Sequence, residues 1–202
     1  VKRLLTVFIF FLTLAAVIGQ TERGTVLLSG ELGGFSSAEY YNKTGDSSWT
    51  KEYSRINFLA APKVGYFPAK NFLLGVEVLY GVDRYKFDNG NTYTAEQIGL
   101  IPFIRLYFPA KKFLPFAEVG GGIYNEFANS VIYNIDFMTK YQGYTYNAGA
   151  GAAFMVGNKV AIECRAGYQF LKNKRLDSNP LISQKNSGLF FRIGAAFYFI
   201  RK

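Results

Sequence analysis

Over residues 72–84 the chain alternates strictly. Phe72, Leu74, Val76, Val78, Tyr80 and Val82 fall on one set of alternate positions, and Leu73, Gly75, Glu77, Leu79, Gly81 and Asp83 on the other. A period of two belongs to a strand whose two faces meet different environments. The division recurs over residues 53–67, 96–108, 113–127, 142–156, 159–170 and 187–200, and more weakly over 24–35. In each segment one face is bulky, apolar and almost free of charge. The other carries most of the glycines and nearly all the charged side chains. The pattern predicts eight strands.

Their connections alternate in length. Pro68-Ala69-Lys70, Pro109-Ala110-Lys111-Lys112 and Gly157-Asn158 are short, while residues 36–52, 85–95, 128–141 and 171–186 read as long loops. An even number of strands, with short turns at one end and long loops at the other, predicts an antiparallel up-and-down transmembrane β-barrel. A repeat supports the hairpin organisation: Tyr66-Phe67-Pro68-Ala69-Lys70 returns 41 positions later as Tyr107-Phe108-Pro109-Ala110-Lys111. Aromatics bordering the turns suit a membrane–water interface. A soluble up-and-down barrel is apolar inside and polar outside. Here the charges share a face with the small residues, which suits a narrow, crowded interior, so the membrane reading is favoured.

The first residues are of another kind. Lys2 and Arg3 precede residues 4–18, a run broken only by Thr6 and Thr13, and Gly19-Gln20 follows. A basic start, an apolar run and a small-residue exit predict a cleavable signal peptide over residues 1–19, with the barrel domain over 20–202. The apolar run of 15 residues falls short of the roughly 20 that a spanning helix needs.

Composition sharpens this reading at three points. The 20 Phe and 15 Tyr favour strands. The formal charge of +9 becomes 21 − 14 = +7 once Lys2 and Arg3 leave with the leader. That charge is compatible with anionic lipid. Nucleic acid is not expected as a partner, because no compact basic run with interleaved aromatics lies on one face. Histidine is absent and Cys164 is the single cysteine. No metal, cofactor or intramolecular disulfide is therefore expected.

On these features the chain resembles the small eight-stranded outer-membrane β-barrels of the OmpA/OmpX-like group, over about residues 20–202. The sharpest local match is Arg192-Ile193-Gly194-Ala195-Ala196-Phe197-Tyr198-Phe199. It resembles the insertion signal read by the outer-membrane assembly machinery, with Gly194, Phe197 and Phe199 at its characteristic positions. Such barrels usually end at the last aromatic, whereas here Ile200-Arg201-Lys202 follow. The resemblance implies a multi-pass outer-membrane location, with the turns and both termini in the periplasm and the long loops outside. It also implies outer-membrane lipid and the assembly machinery as partners.

The chemistry available to such a barrel lies on its inner face and in its loops. Glu31, Arg55, Lys63, Glu77, Arg105, Glu118, Glu163, Arg165 and Arg192 all fall on predicted inward positions, with Asp83 and Glu126 beside them. An eight-stranded barrel is just wide enough inside for side chains, and unpaired charges there would be costly. A plug of paired charges is expected, with Glu118–Arg105 and Glu163–Arg192 as cross-strand partners. The leading function is then a structural or surface-interaction barrel, and the alternative is a narrow ion or small-solute channel. A lipid A-modifying enzyme is disfavoured, because the related activities use a catalytic histidine. Gly120-Gly121-Gly122 lies inside a strand and lacks the Lys-Ser/Thr and helix of a phosphate loop. It reads as relief of crowding. Lys172, Lys174 and Arg175 form a basic cluster suited to lipopolysaccharide phosphates, and the aromatic and charged residues of the first long loop suit an extracellular surface partner.

Overall fold

The computed structural model describes residues 21–42, 50–87, 89–108, 113–132, 135–176 and 183–200. The predicted leader and the second Pro-Ala-Lys turn after Phe108 lie outside the described residues. Eight strands follow in order: β1 Val26–Asn42, β2 Thr50–Ala69, β3 Phe72–Phe87, β4 Thr92–Tyr107, β5 Phe113–Ile132, β6 Ile135–Met155, β7 Val160–Arg175 and β8 Ser183–Phe199. Each pairs antiparallel with its sequence neighbours, and β1 closes the ring on β8. Closure leaves no unpaired strand edge in the ring.

The alternation fixes which face points inward. In β4, Ile98, Leu100, Ile104 and Leu106 are exposed on the outer wall, while Ile101, Phe103, Arg105 and Tyr107 are buried in the lumen. Every strand repeats this arrangement, so the exterior is a belt of exposed apolar side chains. Among the described residues no helix is long and apolar enough to cross a membrane.

β1 alternates regularly in burial over residues 26–33; its weak sequence pattern comes from Leu27, an apolar residue on the lumen side, and Gly30, a bare position on the outer side. Three steps along β1, from Gly33 to Ser36, match two along β2, from Leu59 to Asn57. This bulge inserts one extra residue into β1.

The long connections differ from the sequence reading. The ladder continues well into them, through Asn42↔Thr50, Lys86↔Thr92, Ile132↔Ile135 and Lys174↔Ser183. The strands run 16 to 21 residues, against the roughly 9–11 needed to cross a bilayer. Their outer parts leave the apolar region. Both faces then carry polar residues, as at Asn129, Ser130, Asp136 and Thr139, and the alternation disappears while backbone pairing persists.

Close strand approach explains two glycines. A Cβ on Gly122 would collide with the Leu100 carbonyl of β4, and one on Gly194 with the Gly30 carbonyl of β1. At the short-turn end, Asn71 takes a left-handed φ of 63° in the β2–β3 turn, a conformation that Asn tolerates better than most residues. The Thr21 hydroxyl donates to Asn71 Oδ1 at 2.6 Å, which ties the segment before β1 across this end.

Candidate functional site: the barrel interior

Three layers occupy the lumen between the turn end and the loop end. The first, at the turns, is apolar and aromatic. Leu27, Phe67, Leu73, Phe103, Leu114 and Phe116 pack there with Tyr107 and Tyr198. Phe67 lies 5.6 Å from Tyr107 and 6.5 Å from Tyr198, ring centre to ring centre.

The second layer is the charge network. Inward positions on seven strands bring together Glu31, Lys63, Glu77, Arg105, Glu118, Glu163, Arg165 and Arg192, each at most 2% exposed. The Lys63 ammonium reaches Glu31 at 2.8 Å, Glu118 at 3.0 Å and Glu77 at 3.2 Å. Arg105 meets Glu118 at 2.7 Å and Glu163 at 2.8 Å. Arg165 binds Glu31 at 2.9 Å and Glu77 at 3.2 Å, and donates to Glu118 as well. Four cations therefore face four carboxylates, and the network is neutral. Aromatic rings complete the packing. The Arg105 guanidinium lies 3.9 Å from the centre of the Phe116 ring. The Phe190 ring lies 5.0 Å from Arg165 and 4.9 Å from Arg192. Such cation–ring contacts strengthen when water is excluded.

The expected Glu118–Arg105 partnership is present. The expected Glu163–Arg192 partnership is not: Arg192 binds Glu77 at 2.8 Å, and Glu163 is taken by Arg105. The reason is geometric. Arg192 sits opposite Arg165 on the β7–β8 ladder, where like charges repel, and a long guanidinium reaches across the narrow lumen more readily than down the strand. Arg55 pairs through its backbone with Ala38 and Tyr85; its side chain lies outside the described residues.

The third layer, at the loop end, is an open vestibule of about 460 Å³ lined by Asp83, Tyr85, Tyr93, Gln97, Tyr124 and Glu126, among others. The sequence reading places the two carboxylates inward, with Tyr124 on the face of Glu126, but puts Tyr85 and Tyr93 in a long loop. The signal for Tyr85 was parity, since it shares the face of Asp83.

On the outer wall the basic cluster divides. Lys172 and Lys174 share the outward register of Tyr168, and the Lys172 ammonium lies 5.8 Å from the Tyr144 ring. Arg175 falls on the opposite, lumen-side register with Asn173 and Leu171. Lys140 of β6, exposed in the outward register of Tyr144, lies beside them and went unnoticed in the sequence. Phe197 and Phe199 are exposed on the outer wall of β8, and Cys164 shares the outward register of Ile162 and Ala166.

No protein-family model and no curated protein matches the chain. Solved structures do. The outer membrane protein OprG from Pseudomonas aeruginosa aligns with a TM-score of 0.53 and 11% identity, over 90% of this chain and 99% of that one. The outer membrane protein AlkL aligns with a TM-score of 0.49 and 13% identity, over 89% and 92%. Neisserial surface protein A aligns with a TM-score of 0.45 and 15% identity, over 87% and 97%. The likeness to OprG establishes the fold: this chain is built as a small eight-stranded outer-membrane β-barrel, the architecture that the resemblance implied.

Proposed function

We propose that the protein is an integral outer-membrane barrel, exported by its leader, with a structural or surface-interaction role and a lumen closed to solutes. One observation carries this reading. Each of the eight charges of the network has an opposite charge within ion-pair distance and is at most 2% exposed, with Arg105 Nη2 and Glu163 Oε2 alone among their polar atoms left without a hydrogen bond, so neither end of the barrel offers them to water. A conducting path would have to separate these pairs, leaving charges stranded in a narrow, dry interior. The exposed apolar belt supports burial in lipid. In this reading the turn end faces the periplasm and the loop end faces outside, where Lys172 and Lys174 meet lipopolysaccharide. Gly194, Phe197 and Phe199 serve the assembly machinery, the aromatics being displayed on the outer wall. The role is non-catalytic, and the chain contains no histidine to support the lipid A chemistry weighed as an alternative.

The test is conductance. Refolded protein in a planar bilayer is expected to give no steady unitary currents. Discrete steps of constant amplitude would refute the sealed lumen and favour the narrow channel.

A further inference from the structure

We propose that the outer wall carries a seat for one phosphorylated, acylated lipid, with an acyl chain in a groove over Gly121 and the phosphate at Lys172 and Lys174. The seat rests on the outer-membrane reading above and deepens it, from a charged sector to a site with a stoichiometry.

The groove holds about 480 Å³ and crosses four strands. Leu74 of β3, Ile104 of β4, Val119 of β5 and Tyr146 of β6 form its sides, and Pro102 and Gly121 its floor. The residues explain the hollow. Gly121 stands opposite Tyr146 on the β5–β6 ladder and brings no side chain to the wall. The Tyr146 ring leans over that bare position, so that a Cβ on Gly121 would lie 2.7 Å from it. The β4–β5 pairing skips Ile101 and Pro102, between Leu100↔Ile123 and Phe103↔Gly120, and Pro102 has no N–H to offer. A hollow lined by apolar groups stays dry, and within the belt its filling is hydrocarbon.

Directly loopward the chemistry changes. The Tyr144 ring lies 5.5 Å from that of Tyr146, and the Lys172 ammonium 5.8 Å from the Tyr144 ring. Lys174 is level with Gln142, four residues beyond Tyr146 and about 13 Å along the strand. Half the hydrocarbon core is about 15 Å, so a phosphate at Lys172 and Lys174 places its chain in the groove. Lys185 of β8 stands opposite Lys172. The acidic groups described on this part of the wall are Glu96, two strands from Lys140 across Phe127, and Asp136 towards the hairpin tip. Among the described residues no carboxylate pairs with Lys140, Lys172 or Lys174. A zwitterionic lipid would fill the groove as well, and its head group would gain less from the lysines.

Native mass spectrometry of the refolded chain, released from nanodiscs holding equal amounts of bisphosphorylated lipid A and phosphatidylcholine, tests the seat. One retained lipid A per barrel is expected, well above its bulk share. Lys172→Ala with Lys174→Ala should lower retention roughly tenfold or more. Val119→Trp, which fills the groove without touching charge, should lower it as well, and Leu28→Trp on the far wall should not. Retention at the bulk share, or retention unchanged in Val119→Trp, would overturn the seat. Loss in the lysine variant alone would leave the charged sector standing without a groove site. Should Val119→Trp fail to refold, Ile104→Phe fills the same groove from β4. Failure of the unsubstituted chain to enter nanodiscs would overturn the outer-membrane reading and the seat with it, whereas insertion without selective retention overturns the seat alone.

Discussion

Glu118 holds three cations at once, Lys63, Arg105 and Arg165. Its neutralisation would leave four positive groups facing three carboxylates with no water to screen them. Breaking a buried charge pair by removing one partner costs about 3–5 kcal/mol, whereas replacing both partners with apolar groups of similar size is often close to neutral. Glu118→Gln should therefore destabilise the refolded barrel by about 3–5 kcal/mol, measured by urea unfolding in lipid vesicles. Glu118→Leu combined with Lys63→Met should cost distinctly less than the single change, since three cations then face three carboxylates and Glu31, Glu77 and Glu163 each keep a cation. A double variant as unstable as the single one, or less stable, would show that the layer works as packing volume and not as coupled charge. The rings make the distinction worth drawing, because Phe116 against Arg105 and Phe190 beside Arg165 and Arg192 add contacts that survive a loss of charge.

At the scale of the strand, two faces of one element live in different solvents. Val119 is exposed on the outer wall of β5, with buried Glu118 beside it on the lumen side. Eight residues further along, Phe127 shares the outward register nearer the loop end. Val119→Arg should cost about 2–4 kcal/mol in a bilayer and Phe127→Arg about 0–1, the difference expected between midplane and interface. Urea unfolding in vesicles reads both, and equal costs would contradict a lipid-facing belt centred near Val119. The same two-faced logic sets the limits of what could be read from the residues alone. Alternation exposed all eight strands and the inward set of charges, because lipid and lumen demand different side chains at every second position. It could not show where the strands end. Beyond the apolar belt both faces of the β5–β6 hairpin meet water, so Asn129 and Met138 pair without any patterned signal. Nor could it choose Glu77 over Glu163 for Arg192, because that choice depends on distances across the lumen and not on neighbours along a ladder. β1 is blurred for a third reason, because Leu27 puts an apolar side chain in the lumen and Gly30 a bare position on the outer wall.

For the whole molecule, the interior network contributes nothing to net charge, four cations against four carboxylates, so the chain's +9 resides elsewhere. Part of it gathers on one sector of the outer wall near the loop end, where Lys140 of β6 and Lys172 and Lys174 of β7 share the outward face with Tyr144 and Tyr168. In the proposed orientation these ammonium groups meet the phosphate level of a lipopolysaccharide leaflet, where each would add about 1 kcal/mol of attraction to an anionic surface. Arg175, on the lumen-side register, does not join that sector. Replacing Lys172 and Lys174 together by Ala should therefore weaken association of the refolded barrel with lipopolysaccharide-containing bilayers, and adding Lys140→Ala should weaken it further. Arg175→Ala should change little. The loss should be largest at about 0.01 M salt, where the screening length is about 30 Å, and should shrink towards 1 M, where it is about 3 Å. Co-flotation with vesicles of matched thickness, with and without lipopolysaccharide, measures all four proteins. Retention unchanged by the two lysine substitutions at low salt, or an effect of Arg175→Ala equal to theirs, would remove this sector as a lipid-binding face and leave the excess charge as a solvated rim.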